Sequence, residues 1–208
     1  MKAALVFNSP EMAAQLIEQL PDVHIIDAGS NPKLENSWIR LPINNYWVNN
    51  WHDALKYIHT FLEIRYLWML NDDVKGVSEE MYQALLSKMQ ETNAFMITPA
   101  FNSPHSTFHK QGSDLREVNW IDMTAPLIDL DKYFELGGFD LNFRGYFGDI
   151  DLCYRARQKG FKMYVLDSFE FVHIGGYTVN KEGMSEQSNM AHNQILIDKY
   201  GKSWNELI

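Results

Sequence analysis

Asn71, Asp72 and Asp73 stand directly behind the apolar run Tyr66–Leu70, in "YLWMLNDDVKG". Two like-charged neighbours closing a buried-looking strand admit two readings. Asn and Asp favour turns because their side chains bond their own backbone, which makes the cluster a solvated turn. Clustered carboxylates also suit a hard divalent cation, since Mg²⁺ or Mn²⁺ takes one or two protein carboxylates and completes its octahedron with phosphate oxygens and waters. Asp27 closes a second short apolar run, "VHII" (23–26). Neither the P-loop nor the dinucleotide-binding glycine pattern occurs, so metal rather than backbone N–H groups would have to hold a diphosphate.

A further carboxylate opens "GDIDLCYRARQK" (148–159). If this stretch is a helix, Asp149, Leu152, Cys153 and Ala156 share one stripe, while Asp151, Tyr154, Arg155 and Gln158 share another, polar one. Asp149 in the first turn reads either as a cap complementing the helix dipole or as an inward-facing general base. Asp151 reads as a surface partner of Arg155, four residues on. His173 closes "FEFVH" and reads first as a structural hydrogen-bonder. Gly175 and Gly176 after it allow a sharp turn or close approach to a ligand. His105 and His109 have helical metal spacing but lie in a Ser/Pro-containing stretch read as loop, and Cys153 reads as a small buried hydrophobe.

The elements that must position these groups alternate from the start. "AALVF" (3–7) is a strand; Ser9 offers an N-cap and Pro10 a first helical position for a helix through Leu20. Val48, Trp51, Leu55, Ile58 and Leu62 recur at steps of three and four, predicting a helix over 47–63. "YLWML" is a strand, Ser78 caps a helix to about Gln90, and strands follow at 94–101 and 121–130. Asp131 opens a short helix ending at Gly137-Gly138. A helix over 148–159, strands near 161–166 and 169–173, and a helix near 186–200 complete the chain. Strand–helix alternation implies an α/β fold with a mostly parallel sheet flanked by helices, whose ligands sit beyond the carboxyl ends of the strands. Asp27 and the Asn71–Asp73 cluster both fall there.

A chain of 208 residues suits one domain, read here as 1–208. Hydrophobic content of 46% and charged content of 22% are those of a soluble globular protein. No apolar run approaches the roughly 20 residues of a membrane span, and no secretory signal pattern opens the chain. The single cysteine excludes an internal disulfide and fits a reducing, cytoplasmic setting. A net charge of −9 argues against broad adhesion to nucleic acid or anionic membrane. Arg155, Arg157, Lys159 and Lys162 form a local basic cluster.

The ordered set of parts resembles a family-2-type inverting glycosyltransferase of the GT-A fold over nearly the whole chain. "VHIIDAGSNP" resembles the segment whose Asp meets the nucleotide base, which implies that role for Asp27. "LWMLNDDV" resembles the DXD-type motif, implying Asp73 as ligand of Mn²⁺ or Mg²⁺ and Asp72 near the ribose. "GGFDLNFRGYFGDIDLCYRARQKGF" (137–161) is similar to the stretch carrying the catalytic base, which falls on Asp149, and "FVHIGG" implies His173 as a second metal ligand. Gly148 stands where the family usually has Glu, and "FNSPEM" (7–12) lacks the usual "PTYNR"-like opening. The resemblance implies a small soluble hexosyl- or pentosyltransferase moving a sugar from a nucleotide-sugar donor, a UDP-sugar foremost, to an acceptor hydroxyl. The acceptor stays open between a saccharide, a lipid, a protein and a hydroxymethylated base in DNA, the last served by the 155–162 cations. A nucleotidyltransferase and a non-catalytic nucleotide-sugar-binding module are the readings from other classes.

Overall fold

The computed structural model describes residues 1–103, 108–175 and 186–208. Its elements run β1 (Lys2–Val6), α1 (Pro10–Gln19), β2 (His24–Asp27), β3 (Ile39–Arg40), α2 (Tyr46–Leu62), β4 (Tyr66–Asn71), β5 (Val74–Lys75), α3 (Glu79–Thr92) and β6 (Met96–Asn102). There follow β7 (Leu115–Glu117), β8 (Leu127–Asp129), α4 (Leu130–Glu135), α5 (Gly148–Gln158), β9 (Met163–His173), α6 (Glu186–Tyr200) and α7 (Trp204–Leu207).

All the described strands join one sheet, in the order β3-β2-β1-β4-β8-β6-β9-β5, with β7 also on β9. β3, β2, β1 and β4 are parallel; β8 enters antiparallel between β4 and β6, and β6 pairs with β9 in parallel. The chain leaves β1 on one side to form β2 and returns through α2 to form β4 on the other. That reversal opens a crevice at the carboxyl ends of β1 and β4, where a ligand can enter between the diverging connections.

β4 is buried on both faces, which is why it reads as a continuous apolar run. Trp68 and Leu70 pack with Leu16 of α1 and Leu85 and Met89 of α3, while Leu67 and Met69 pack with Trp51, Leu55 and Ile58 of α2. The period-2 alternation of a strand thus divides one sequence between two cores. The α2 stripe is as expected through Ile58, but Leu62 at its end is exposed.

Three expected elements differ. The expected strands at 161–166 and 169–173 are one strand, β9, with a register shift opposite Pro99/Ala100 that leaves 167–169 unpaired with β6. Asp167 in this bulge is held by Arg116 (2.9 and 3.0 Å). The expected strand 121–130 reduces to β8, because 121–126 runs irregularly beside β4, accepting from it only at intervals (Asn71 N to Thr124 O, 2.9 Å; Met69 N to Pro126 O, 2.9 Å). Asp129, not Asp131, caps α4, its carboxylate accepting from the Asp131 and Lys132 amides. β3, β5, β7 and α7 are too short to impose a periodic pattern on sequence.

Candidate functional site

The chain turns sharply after β4 at Asp72 and Asp73, and β5 then pairs antiparallel with the end of β9, Val74 opposite His173. This register sets His173 Nε2 3.1 Å from Asp73 Oδ1, and the Ile174 amide donates to Asp73 O at 3.0 Å. The segment is a turn, yet Asp72 and Asp73 are only 8% and 7% exposed, so it is not a solvated one. The carboxylates face inward, onto a cavity of roughly 390 Å³ at the crevice. Leu5 and Phe7 from the end of β1, Ala28 from the end of β2, Asn71–Asp73, Asp122, Asp149 and His173 all line it.

Ser9 occupies the N-cap position of α1 but makes no side-chain cap; its hydroxyl donates instead to Asp72 Oδ2. Burial pushes the Asp72 carboxyl up to about 6, assisted by the charge of Asp73 and opposed by the Ser9 bond. Asp149 lies in the first turn of α5, half-buried in the cavity wall. Burial, reinforced by Asp122, pushes it up to about 7. Asp122 receives the Thr124 hydroxyl at 2.6 Å and is itself raised, again by burial first. Burial disfavours the His173 imidazolium, but the bond to Asp73 and the fields of Asp73, Asp122 and Asp72 outweigh it and raise the ring above its ordinary value.

Four carboxylates and one imidazole therefore share a cavity that no Lys or Arg of the described residues lines. Such crowding is relieved by a cation. Among the described residues no group of three or more His, Cys, Asp or Glu side chains is arranged to hold a metal unaided. Asp73 and His173 instead make the sparse donor set that Mg²⁺ or Mn²⁺ accepts when phosphate oxygens and water complete the sphere. The residues present fit such an ion.

The expected residues Asp72, Asp73, Asp149 and His173 meet in one place, and Asp27 does not join them. Its carboxylate is fully buried and accepts from Arg40, from the Ser30 amide (2.7 Å) and from the Leu34 amide (3.3 Å). It fixes the 28–34 turn whose Ala28 reaches the cavity. Gly29 (φ +82) is required there, since a Cβ would sit 2.7 Å from the Ile43 backbone carbon.

Asp151 corrects the helical-wheel reading. It does pair with Arg155 (2.7 Å), but it is wholly buried, because α6 covers the face of α5 expected to be wet. Lys199 Nζ and the Tyr200 hydroxyl each donate to its other oxygen at 2.6 Å. Arg155 also donates to Leu136 O and Gly138 O, 2.7 Å each, tying the glycine turn before α5. The remaining cations of the basic cluster are engaged as well: Arg157 with Leu207 O, Lys159 with Glu135 (3.0 Å) and Lys162 with Glu117 (2.5 Å). Arg155 and Arg157 are thereby partly buried, while Lys159 and Lys162 stay exposed in surface ion pairs.

His109 lies outside any helix, and His105 falls outside the described residues. Cys153 is fully buried, with its thiol pushed up by burial and receiving the Ile121 amide at 3.4 Å, as expected of a core residue. Gly148 is closely packed, since a Cβ there would lie 2.7 Å from Val48 Cγ2. Asp122, Asn50 and Trp204 line the cavity without having been anticipated. Of these only Asp122 left a signal, an acid inside the apolar stretch "WIDM".

No protein-family model matches the chain. It is 27% identical over 195 residues to an uncharacterized protein of Mycobacterium bovis and, equally, to one from each of two Mycobacterium tuberculosis strains, spanning 84% of this chain and 74% of theirs. Among solved structures it superposes on GalNAc-T7 crystallised with UDP, GalNAc and Mn²⁺ (TM-score 0.63, 12% identity) and on Staphylococcus aureus TarS 1–349 (TM-score 0.58, 10% identity). Each covers 84% of this chain, which spans 44% and 60% of theirs. The chain has the GT-A fold. The nine-stranded mixed sheet and its flanking helices are those of that architecture, and no helix among the described residues is long and apolar enough to cross a membrane.

Proposed function

We propose that the chain is a metal-dependent inverting glycosyltransferase that moves a sugar from a nucleotide-sugar donor, a UDP-sugar foremost, to an acceptor hydroxyl. The observation that carries this reading is the convergence of Asp149 and the Asp73–His173 pair on one cavity at the crevice between β1 and β4. Asp73 and His173 hold Mn²⁺ or Mg²⁺, and Asp72 lies toward the ribose. A cation held there supplies neutralisation for charge developing on the departing nucleoside diphosphate. Asp149 takes the proton of the acceptor hydroxyl while that oxygen bonds the anomeric carbon and the carbon–phosphate-oxygen bond breaks, inverting the centre. A carboxylate near pKa 7 suits this task, because a base must be deprotonated at working pH yet basic enough to accept a proton. Asp27, one layer back, braces the wall.

Incubation with a panel of sugar nucleotides and Mn²⁺, read by mass spectrometry, tests the reading. Release of nucleoside diphosphate supports it. Pyrophosphate release from a nucleoside triphosphate identifies a nucleotidyltransferase instead, and binding without any release identifies a non-catalytic module.

A further inference from the structure

The cavity has a second, aromatic side that the donor chemistry above does not use. Tyr46, Trp47, Tyr146, Phe147 and Trp204 line it, opposite in character to the acidic floor. Two of these rings are carried on backbone that bulky side chains rarely adopt: Tyr46 has φ 63° and Phe147 has φ 65°. Non-glycine residues in the left-handed region cost energy and persist only where the surroundings hold them.

Tyr46 is held by hydrogen bonds and Phe147 by ring packing. Asn50, buried at the start of α2, accepts the Asn45 amide (2.9 Å) and donates to Asn44 Oδ1 (2.7 Å), which also accepts the Tyr46 amide (3.1 Å). Phe147 immediately precedes α5, and its ring lies nearly parallel to that of Trp204, 9° between planes and 6.0 Å between centroids. Trp204 is fixed in turn: its amide donates to Asn193 Oδ1 (3.0 Å), Arg157 of α5 donates to Leu207 O at the end of α7, and α6 is tied to α5 through Asp151. The same helix thus carries Asp149 in its first turn and anchors the ring pair beside it.

Trp204 is 41% exposed and Tyr46 40%, so these rings are open to a ligand and not filled by the core. The class of ligand follows from charge. No Lys or Arg among the described residues lines the cavity, and Arg144 lies over the Tyr46 ring, 5.8 Å from its centroid. A polyanionic acceptor would face the four carboxylates of the floor, with Arg144 at the rim engaged on the Tyr46 ring. A sugar ring offers C–H faces to aromatic π-faces and hydroxyls to carboxylates and amides, which matches both sides of the wall.

We infer that Phe147 and Trp204, with Tyr46 and Tyr146 at the rim, form a stacking subsite for an uncharged saccharide acceptor beside Asp149. This rests on the transferase reading for the word acceptor, while the binding itself is measured without turnover. Saturation-transfer NMR with a panel of neutral oligosaccharides, in the presence of UDP and Mn²⁺, gives the affinity of the wild type. Trp204→Ala and Phe147→Ala are each expected to weaken binding about tenfold or more, Trp204→Phe to retain it, and Trp38→Ala, exposed but outside the cavity, to leave it unchanged. Equal affinity in Trp204→Ala overturns the inference. So does a wild type that binds no neutral saccharide, or that prefers an oligonucleotide containing hydroxymethylated cytosine. Failure to release nucleoside diphosphate from any sugar nucleotide would instead overturn the transferase reading and leave this measurement standing.

Discussion

His173 Nε2 lies 3.1 Å from Asp73 Oδ1 although one hundred positions separate the two residues in the chain. The contact is set by strand register, Val74 opposite His173, and not by local sequence. A one-residue slip would turn His173 to the other face of the sheet. Both side chains are then available to a single cation, so Asp73→Asn is expected to weaken Mn²⁺-dependent UDP binding by about 100-fold and His173→Ala by about tenfold, within the range that loss of metal-site partners produces. Calorimetric titration of UDP with and without Mn²⁺ checks this, and unchanged affinity in both variants excludes the pair as a metal site.

Asp149 predicts two pH profiles of opposite use. As a base pushed up to about 7, it requires kcat/KM for transfer to rise about tenfold per pH unit below that value and to level above it. Asp149→Asn is expected to lose ~10²-fold or more while still binding UDP with Mn²⁺. For stability, a carboxylate raised in the folded state keeps a proton that the unfolded chain has released. Stability therefore falls as pH climbs from the unfolded value near 4 toward 7, by about 2 kcal/mol allowing for partial exposure, and is flat beyond. Melting curves of Asp149→Asn should lose that decline. A wild-type slope retained in the variant points to another group.

How far the sequence revealed this site depends on what positioned each residue. Asp72, Asp73 and Asp149 follow apolar runs or open a helix, and the rule that ligands collect at strand carboxyl ends locates them directly. Asp27 obeys the same rule, but strand ends do not say whether a carboxylate faces the crevice or is claimed by a neighbour; Arg40, thirteen residues on, claims it. Asp122 was hidden because 121–130 alternates like one strand, whereas backbone hydrogen bonding keeps only Leu127–Asp129 in the sheet. Trp204 sits in a four-residue helix, which has no period to read. Asp151 was misplaced for a tertiary reason: a helical wheel assumes one buried face, and α6 buries a second.

Gly148 gives a packing prediction. Val48 is fully buried and β-branched, hence stiff at χ1, and its Cγ2 stands 2.7 Å from where an alanine Cβ would be. Gly148→Ala is expected to cost about 1–3 kcal/mol by overpacking, despite the better helix propensity of alanine. Val48→Ala in the same chain should recover part of that loss by making room. Denaturant titration of the single and double variants measures the coupling, and simple additivity would show that the two side chains do not meet.

Asp151 carries the last prediction. Its two oxygens receive four donors, Arg155 Nε (2.9 Å) and a terminal guanidinium nitrogen (2.7 Å) on one, Lys199 and Tyr200 (2.6 Å each) on the other. Lys199 also reaches Asp140 at 2.7 Å, so the carboxylate joins the turn before α5, α5 itself and α6. Burial raises the Tyr200 hydroxyl to about 12, with Asp151 reinforcing the shift, so that group stays a proton donor throughout the physiological range. Removing the shared anion leaves the partly buried Arg155 guanidinium without its carboxylate and Lys199 with Asp140 alone, a loss of about 3 kcal/mol. For a chain of this size Asp151→Ala is then expected to melt about 10 °C lower, with little dependence on salt because Asp151 itself is fully buried. Since α6 leads into α7, the same variant should expose Trp204 and shift its fluorescence to the red at temperatures where the sheet is still folded. Lys199→Met combined with Asp151→Ala is expected to recover part of the loss, and a melting point within 2 °C of wild type for Asp151→Ala alone, a change of less than ~1 kcal/mol, would refute the network as the tie between α5 and the C-terminal helices.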